Sequence, residues 1–392
     1  MLKIVVLLHV YQPPTQVSYK TEEIYYQSYL PHLEMLESRP EFLVSIDIPL
    51  SLVDQIKTLP KGFTQRLNRL HRLNRQVEFV NTSAYHYLFP LLFPYERAGL
   101  GVSYERMIEK QLELNKKCYQ EFFEAENVTG VFPPEMAFDS RLVPIFQRLG
   151  YKWCLACDDP FKKSRLDFPE HERVPQNWVP SMNDFGIILR SREWSDAISF
   201  EKYTNGYEFG HYLINSQLNW KERCQISGDT YIVIAMDGET FGHHQENAFR
   251  RFLIPFFDAV MSRKSVCEFA HLSDVYESFP RTEVVIPEGT WSTADRSNPY
   301  PLWRDPGVEF HTHWNLFMHH ALRMWDPDSS TALNQLLEKS FYSCTPWLYS
   351  LGKGGVARWC LPLFKQIIDY TTDPNIKIAL EFHHNEMDRL TR

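Results

Sequence analysis

The sequence of 392 residues predicts an α/β protein in which a parallel barrel is followed by a helical C-terminal region. Seven apolar, strand-like segments occur between residues 2 and 236, and amphipathic helical stretches separate most of them. This alternation favours a parallel sheet, because parallel neighbours need a crossover between them. Polar or aromatic residues follow all seven segments, which is typical of a barrel whose strands end at one mouth. An open, doubly wound sheet would concentrate such residues at one crevice instead.

The seven predicted strands differ in how clearly they are marked. Residues 231–236 are the clearest case, because a continuous apolar run is typical of a strand that is buried on both faces. No Gly-x-Gly-x-x-Gly sequence or P-loop follows any of the strands, so nucleotide binding lacks its usual support. The predicted strands are residues 2–9, 42–48, 77–81, 130–133, 151–156, 186–190 and 231–236.

The helices divide into those between strands and those near the C-terminus. Residues 104–125 show the amphipathic pattern of a helix between strands. The strand pattern stops at about residue 280, and an irregular, proline-containing connection follows. Pro362 fits the first turn of a later helix, where its missing N–H costs nothing. The helices predicted beyond the connection are residues 309–325, 329–350, 361–371 and 374–391.

We therefore expect two regions, a barrel over residues 1–280 and a helical region over residues 281–392. No Ser/Gly-rich tether separates them, and the helical region carries apolar residues that need cover. The helical region is thus predicted to pack against the barrel.

Composition narrows the classes of function. The formal net charge is −8 and no long Lys/Arg run occurs, which argues against a nucleic-acid partner, since phosphate recognition needs clustered positive charge. The longest apolar runs fall short of the roughly 20 residues that cross a bilayer, and the apolar run at residues 4–8 is too short for a signal peptide. We expect a cytoplasmic protein without a membrane partner; the oligomeric state is not predicted.

The seven cysteines are scattered and odd in number, which argues against a disulfide framework and suits a reducing compartment. Cys154 and Cys157 have the spacing of a redox pair or of half a zinc site. No second pair exists, however, and the motif lies within a predicted buried strand rather than at a helix N-terminus. We interpret both as core cysteines.

Two carboxylates are the catalytic candidates. Residues 228–245 run from the last predicted strand into a cluster of two carboxylates, two histidines and two glycines, which no fold requires. Asp237 follows that strand directly, and Glu135 follows the proline-stiffened segment 130–134. Each alone could be a turn or helix-cap residue. Because both follow strands of one barrel, we expect them to share a site, with Glu239 orienting its neighbours.

Aromatic and polar residues near the strand ends suit a sugar ligand, because rings stack on C–H faces while polar groups bond to hydroxyls. Each also has a simpler structural explanation: His9 as a core histidine, Arg192 and Asp196 as a surface ion pair, and Trp291 as core packing. One of His243 and His244 is expected to be structural. The substrate-binding candidates are His9, Gln12, Tyr85, His86, Arg192, Asp196, His243, His244, Trp291 and Trp347.

These segments resemble glycoside hydrolase family 57 over most of the chain. Residues 9–14 are similar to its first motif and residues 82–86 to its second. Residues 133–137 resemble the motif of the nucleophilic Glu, and residues 237–243 that of the acid/base Asp. The family also has segments similar to residues 190–196, 289–291 and 344–347. Tyr11 stands where the commonest first motif has histidine, and Thr345-Pro346 where an acidic or polar residue is frequent.

The resemblance implies a (β/α)7 barrel with a helical C-terminal region and retaining chemistry on α-glycosidic bonds, with neither metal nor cofactor. Retention needs one carboxylate to attack the anomeric carbon and a second, protonated carboxyl to protonate the leaving oxygen. Glu135 is then the nucleophile and Asp237 the acid/base. We expect apolar surroundings and Glu239 to raise the pKa of Asp237. The expected partner is an α-1,4-glucan or oligosaccharide.

Three alternatives stay open at this stage. Hydrolysis and glycosyl transfer share the covalent intermediate, and the sequence does not separate them. A zinc-dependent polysaccharide deacetylase or α-mannosidase-like hydrolase would find candidate ligands in residues 311–313 and 319–320, although these lie on a predicted helix beyond the barrel. A catalytically silent carbohydrate-binding homologue is the third.

Overall fold

The computed structural model describes residues 1–93, 104–292 and 298–392, which form a ring of strands surrounded by helices. The sheet elements in this part of the chain are β1 (Leu2–His9), β2 (Val44–Asp47), β3 (Val77–Phe79), β4 (Gly130–Val131), β5 (Trp153–Cys157), β6 (Val179–Met182), β7 (Phe185–Arg190), β8 (Thr230–Asp237), β9 (Cys267–Ala270) and β10 (Arg281–Glu283).

The ring consists of β1, β2, β3, β4, β5, β7 and β8, and its paired strands run parallel. β3 and β4 are joined through Asn81, whose N–H donates to the Gly130 carbonyl at 2.9 Å and whose carbonyl accepts from the Phe132 N–H at 2.7 Å. β7 meets β8 where the Ser191 N–H donates to the Val233 carbonyl at 2.9 Å. The predicted fold class is confirmed, and the strand ends converge as a barrel requires.

All seven predicted strands are present, but β3 and β4 end two residues earlier than predicted. β3 ends at Phe79, and β4 comprises only Gly130 and Val131. Pro133 and Pro134 follow β4, and proline has no N–H to continue a ladder. The short β4 leaves the backbone after it free to turn into the barrel mouth.

Three further strands were not predicted. β6 pairs antiparallel with β7 through a tight turn in which Asn183 and Asp184 have φ of 52° and 63°. Positive φ at both central residues is the geometry of a type I′ hairpin turn. β9 pairs with the first half of β1, and β10 pairs with β6 at the sheet edge. All three are four residues long or shorter, which leaves little periodicity to detect.

The helix predicted over residues 104–125 spans Glu105–Phe123. The helix predicted over residues 329–350 is wrong, because residues 341–343 interrupt it and approach the barrel mouth. There the Ser343 N–H donates to the His86 carbonyl at 3.0 Å, and Tyr342 forms an antiparallel bridge with Tyr87. Pro362 lies in the first turn of its helix, as predicted.

The remaining helices cover the outside of the ring or form the C-terminal region. The α-helices of the described residues are Ser18–Ile24, Leu30–Ser38, Leu50–Ile56, Phe63–Arg72, Glu105–Phe123, Leu142–Arg148, Asp158–Ser164, Glu170–Arg173, Arg192–Ser199, Gly206–Arg223, Ile254–Ser262, Leu272–Ser278, Glu309–Leu322, Ala332–Ser340, Cys344–Ser350, Gly354–Ala357, Leu361–Tyr370 and Pro374–Leu390.

One apolar cluster joins the barrel to the C-terminal region. It contains Phe146 and Ile187 of the barrel together with Phe317 and Phe364 of the C-terminal helices, all of them buried. Such a shared core holds the two regions in one arrangement. The division at residue 280 stays a prediction.

Of the seven cysteines, Cys154 and Cys157 are core residues, as predicted. All seven are free, and Cys154 and Cys157 are buried in β5. Burial raises the pKa of Cys157 to about 12, so its thiol is neutral and unreactive at ordinary pH. Among the helices described, none combines the length and apolar character needed to span a membrane.

Candidate active site

A cavity of about 610 Å³ opens at the carboxyl ends of the barrel strands. Its floor carries both catalytic candidates, Glu135 and Asp237, and residues between Tyr342 and Trp359 form the wall contributed by the C-terminal region. The predicted substrate-binding residues that line it are His9, Gln12, His86, Arg192, Asp196, His244, Trp291 and Trp347.

Two predicted substrate-binding residues lie elsewhere. Tyr85 is 6% exposed, and its ring packs in the core with the Lys339 ammonium nitrogen 5.6 Å from the ring centroid. His243 is not among the lining residues, and its Nδ1 lies 2.7 Å from Gln27 Oε1. The structure therefore does not bring Tyr85 or His243 to the cavity, and of the two adjacent histidines only His244 reaches it.

Glu135 sits on a strained turn directly after β4. Glu135 and Met136 have φ of 62° and 49°, a left-handed conformation that non-glycine residues seldom adopt. A bridge between Phe138 and Gly289 brings a second segment alongside, and the Trp291 N–H donates to the Glu135 carbonyl at 3.2 Å. This backbone arrangement turns the Glu135 side chain into the cavity.

The Glu135 carboxylate is held by two donors. The Ser343 hydroxyl donates to Oε1 at 2.8 Å, and Trp291 Nε1 donates to Oε2 at 2.8 Å. Burial raises the pKa of Glu135 to about 7, while the two hydrogen bonds and the charge of His9 oppose this rise by favouring the ionised form. The carboxylate is thus fixed in orientation but titrates near neutrality.

His9, at the end of β1, is paired with a buried aspartate at the end of β2. Its Nδ1 lies 2.7 Å from Asp47 Oδ2, and both residues are buried. Burial alone would lower the pKa of His9, but the charge of Asp47, its hydrogen bond and the more distant Asp237 and Glu239 together raise it to about 9. His9 is therefore a cation at neutral pH.

His86 links this ion pair to the C-terminal region. Its Nε2 lies 3.1 Å from His9 Nε2, and its Nδ1 lies 2.7 Å from Ser343 Oγ. Burial and the charge of His9 hold the pKa of His86 well below its usual value, so this ring is neutral. The Tyr11 ring stacks on it with centroids 3.9 Å apart and planes inclined by 13°.

Asp237 ends β8 in register with His9, so the two side chains leave neighbouring strands at the same level. It lines the cavity and is half-buried. Within the described ranges its carboxylate takes part in no hydrogen bond, unlike that of Glu135. No hydrogen bond among the described residues fixes the orientation of the Asp237 carboxylate.

Glu239 lies beneath Asp237 in a network of donors. Its Oε1 accepts from the Tyr11 N–H at 3.1 Å, from Gln12 Nε2 at 3.2 Å and from the Tyr29 hydroxyl. Burial and the charge of Asp237 raise the pKa of Glu239 to about 7. These hydrogen bonds hold Glu239 Oε1 in place, and the orienting role of Glu239 stays a prediction.

The two glycines of the β8 loop are explained by close backbone contacts. A Cβ on Gly238 would lie 2.5 Å from Val10 Cγ1, and one on Gly242 would lie 2.0 Å from the Gln27 carbonyl oxygen. Gly242 also has a φ of 96°, which side chains disfavour. The loop that carries Asp237 and Glu239 is thereby pressed against the end of β1 and residues 25–29.

Arg192 and Asp196 form an ion pair at the cavity wall, together with Arg190. Asp196 accepts from Arg190 Nη2 at 2.7 Å and from Arg192 Nε at 2.9 Å. Arg190 is only 4% exposed and also donates to the Ala235 carbonyl at 2.8 Å. The predicted ion pair exists, and it lines the cavity.

Four residues that support or line the site were not predicted as site residues: Asp47 and Ser343, which support His9 and Glu135, and Phe200 and Trp359, which line the cavity. Asp47 ends β2 and Ser343 lies between two helices, and only the fold shows the partners of these two side chains. Trp359 and Phe200 are 50% and 71% exposed at the cavity, and exposed aromatic side chains near a polar strand end are a usable signal.

The histidines that motivated a zinc site have other partners. His311 Nε2 lies 2.8 Å from Ser350 Oγ, and His319 Nε2 lies 3.1 Å from the Leu91 carbonyl. In the described ranges, three potential ligand residues come together only at Glu309, His313 and Glu386, which are not cavity residues. Arg389 already pairs with both glutamates there. Of the histidines considered for zinc, only His313 joins such a group among the described residues, and that group lies outside the cavity.

The family model described as "Glycosyl hydrolase family 57" matches residues 8–287, which include both catalytic candidates. The chain belongs to this family. The match covers the barrel from the end of β1 to the segment before Trp291, so the predicted family is confirmed. A comparison with curated proteins gives no match.

Solved structures confirm the family 57 fold. The 4-alpha-glucanotransferase from Thermococcus litoralis superposes with a TM-score of 0.71 at 16% identity, covering 94% of this chain and 59% of that one. This chain thus spans less than two thirds of that protein. The GH57-type branching enzyme from Pyrococcus horikoshii gives 0.70 at 14% identity, with 99% and 95% covered. The alpha-amylase AmyC from Thermotoga maritima gives 0.61 at 14% identity, with 100% and 99% covered.

Proposed function

We propose that this family 57 protein is a retaining enzyme that cleaves α-glycosidic bonds of an α-glucan, with Glu135 as nucleophile and Asp237 as acid/base. The observation that carries the proposal is the pair of carboxylates in one cavity, one clamped by two donors and the other free. Similar structures carry glucanotransferase, branching-enzyme and amylase activities by name, which supports an α-1,4-glucan as the substrate.

In the first step a Glu135 oxygen attacks the anomeric carbon, and the bond to the glycosidic oxygen breaks. The Asp237 carboxyl gives its proton to that oxygen, so the shortened glucan leaves as an alcohol. In the second step Asp237 takes a proton from water or from a sugar hydroxyl, whose oxygen displaces Glu135 from the anomeric carbon. Hydrolysis and transfer differ only in this acceptor.

The surroundings suit these steps. Ser343, Trp291 and the His9 cation favour the ionised form of Glu135, which is the form that attacks. Trp347 and Trp359 offer apolar faces for the sugar rings, while Arg192 and His244 offer donors to the hydroxyls. No metal or cofactor takes part in the proposed reaction.

The test is turnover of maltoheptaose by the wild type and by Glu135→Gln and Asp237→Asn. Both substitutions keep the shape of the side chain, and we expect kcat to fall on the order of a thousand-fold or more. Glu246→Gln is the matched control, because Glu246 is exposed and outside the cavity. If both variants act on glucan as the wild type does, the proposal is wrong.

The lengths of the products identify the acceptor. Products longer than maltoheptaose indicate transfer to sugar, whereas only shorter products indicate hydrolysis. A panel of α-linked glucans, galactosides and mannosides checks the substrate class. Binding of glucan without any turnover by the wild type would instead indicate a silent carbohydrate-binding homologue.

A cytoplasmic location stays part of the proposal. Its support is the set of seven free cysteines, because reduced thiols persist in a reducing compartment.

A further inference from the structure

An unbroken series of buried hydrogen bonds connects Asp47 to Glu135. Asp47 Oδ2 lies 2.7 Å from His9 Nδ1, and His9 Nε2 lies 3.1 Å from His86 Nε2. His86 Nδ1 lies 2.7 Å from Ser343 Oγ, which lies 2.8 Å from Glu135 Oε1. None of the five residues is more than 9% exposed. The series begins in the barrel and passes through Ser343 of the C-terminal region before it reaches Glu135.

The charge of His9 sets the direction of donation. A histidine cation carries hydrogens on both ring nitrogens, so His9 donates to Asp47 and to His86 Nε2. His86 is neutral and accepts at Nε2, so its own hydrogen is on Nδ1 and is donated to Ser343. Ser343 has a single hydroxyl hydrogen, which is therefore left for Glu135. The charge of His9 thus orients the three successive hydrogen bonds from His9 Nε2 through His86 and Ser343 toward Glu135.

We propose that Asp47, His9, His86 and Ser343 form a positioning chain that fixes the Glu135 carboxylate in one orientation and in its ionised form. This inference depends on the proposed function, in which Glu135 attacks the anomeric carbon. Within the chain, Ser343 is the positioning residue that contacts the nucleophile, and it lies outside the stretch matched by the family model.

The positioning chain explains the buried histidines His9 and His86 better than direct sugar binding does. All four ring nitrogens of His9 and His86 are already engaged, with Asp47, with each other and with Ser343. Neither imidazole has a nitrogen left for a sugar hydroxyl. The ring of each histidine forms part of the cavity wall, and its hydrogen bonds belong to the positioning chain that holds Glu135.

The charge of His9 favours the ionised form of Glu135. Burial keeps His86 uncharged by lowering its pKa, and it keeps the Tyr11 and Cys344 side chains uncharged by raising theirs. The titratable groups that face Glu135 are His9, Tyr11, His86, Asp237 and Cys344. His9 is therefore the cation that favours ionised Glu135, and Asp47 keeps His9 charged.

The test compares Ser343→Ala, Asp47→Asn and the double variant on maltoheptaose over pH. Loss of a hydrogen bond to a charged group predicts a fall in kcat of roughly ten- to a hundred-fold for Ser343→Ala, with KM changed less than about two-fold. The acid limb of kcat/KM, which begins near the Glu135 pKa of about 7, should move to higher pH. Ser340→Ala is the matched control, since Ser340 is also buried but donates to the Leu336 carbonyl.

Asp47→Asn tests the end of the positioning chain that is farthest from Glu135, because Asp47 does not contact Glu135. Without Asp47, burial lowers the pKa of His9 and the cation is lost, so the acid limb should again move to higher pH. A connected chain predicts that the double variant falls little below Ser343→Ala alone. If the losses of activity in the two single variants multiply in the double variant, the positioning chain is wrong. An acid limb of Ser343→Ala at the wild-type pH would contradict it as well.

Two controls separate this inference from the proposed function. If Glu135→Gln keeps full activity, Glu135 is not the nucleophile. If Glu135→Gln is inactive while Ser343→Ala behaves as wild type, only the positioning chain is wrong. Nitrogen NMR of the histidine rings at pH 8 needs no turnover. It should show one cationic histidine in the wild type that disappears in Asp47→Asn, and its absence from the wild type would also overturn the chain.

Discussion

The two sides of the cavity hold their carboxylates in opposite ways. On the β4 side, Glu135 stands on a left-handed backbone and receives one hydrogen bond at each oxygen. On the β8 side, Asp237 continues a regular strand, and its carboxylate is without a hydrogen bond in the part of the chain described. A group that attacks one carbon gains from a fixed orientation, whereas a group that exchanges a proton with two partners must be able to turn.

The difference also concerns where the supporting residues come from. Glu135 is held by Trp291 and Ser343, both from beyond the seven ring strands. The neighbours of Asp237 belong to β1 and to its own loop, where Glu239 takes the available donors. The barrel alone thus supplies the carboxylate proposed as acid/base, and the segments that follow the barrel supply the donors to the proposed nucleophile.

Trp291→Phe should most directly reduce the difference in hydrogen bonding between the Glu135 and Asp237 carboxylates. Phenylalanine keeps an aromatic ring in the cavity but removes the Nε1 donor, so Glu135 loses one of its two hydrogen bonds. Since that bond favours the ionised form, the pKa of Glu135 rises above about 7, and the acid limb of activity moves to higher pH. We expect kcat to fall about ten-fold, as measured by steady-state kinetics over pH.

The matched control for this change is Trp325→Phe. Trp325 Nε1 also donates to a glutamate, Glu338 Oε1 at 3.4 Å, but neither residue lines the cavity. Its pH profile should match the wild type. An unchanged acid limb in Trp291→Phe would mean that the Trp291 hydrogen bond does not control the ionisation of Glu135.

Tyr85→Phe and His243→Ala should have the smallest effects. Both residues were predicted to bind substrate, yet neither lines the cavity. We expect kcat/KM on maltoheptaose to stay within about two-fold of the wild type, because surface and distant substitutions seldom disturb a site. A rise in KM of ten-fold or more in either variant would restore the residue to the binding site.

Much of the fold could be predicted because its signals are local. Continuous apolar runs such as residues 231–236 mark strands buried on both faces, and β5 and β8 show this pattern most clearly. The short strands β6, β9 and β10 were missed because four residues or fewer carry no periodicity. The predicted helix over residues 329–350 is interrupted because residues 341–343 pair with the segment after β3, a tertiary contact that no local pattern encodes.

The candidate site was predictable only where a residue follows a strand. His9, Glu135 and Asp237 do so, and the parallel ring brings them together. Ser343 comes from a segment more than two hundred residues after Glu135, so only the packing of the C-terminal region reveals its role. Tyr85 illustrates the opposite error, because proximity to a strand end in sequence does not fix the direction of a side chain.

The anomeric configuration of an azide product tests most directly whether Glu135 is the nucleophile and Asp237 the acid/base. With an activated aryl α-maltoside, azide should replace the missing nucleophile of Glu135→Ala and give the inverted β-glycosyl azide. In Asp237→Ala, Glu135 still forms the intermediate, and azide should give the retained α-glycosyl azide. The two configurations, determined by proton NMR, therefore separate the roles. An α-azide from Glu135→Ala, or full activity of that variant without azide, would contradict Glu135 as the nucleophile.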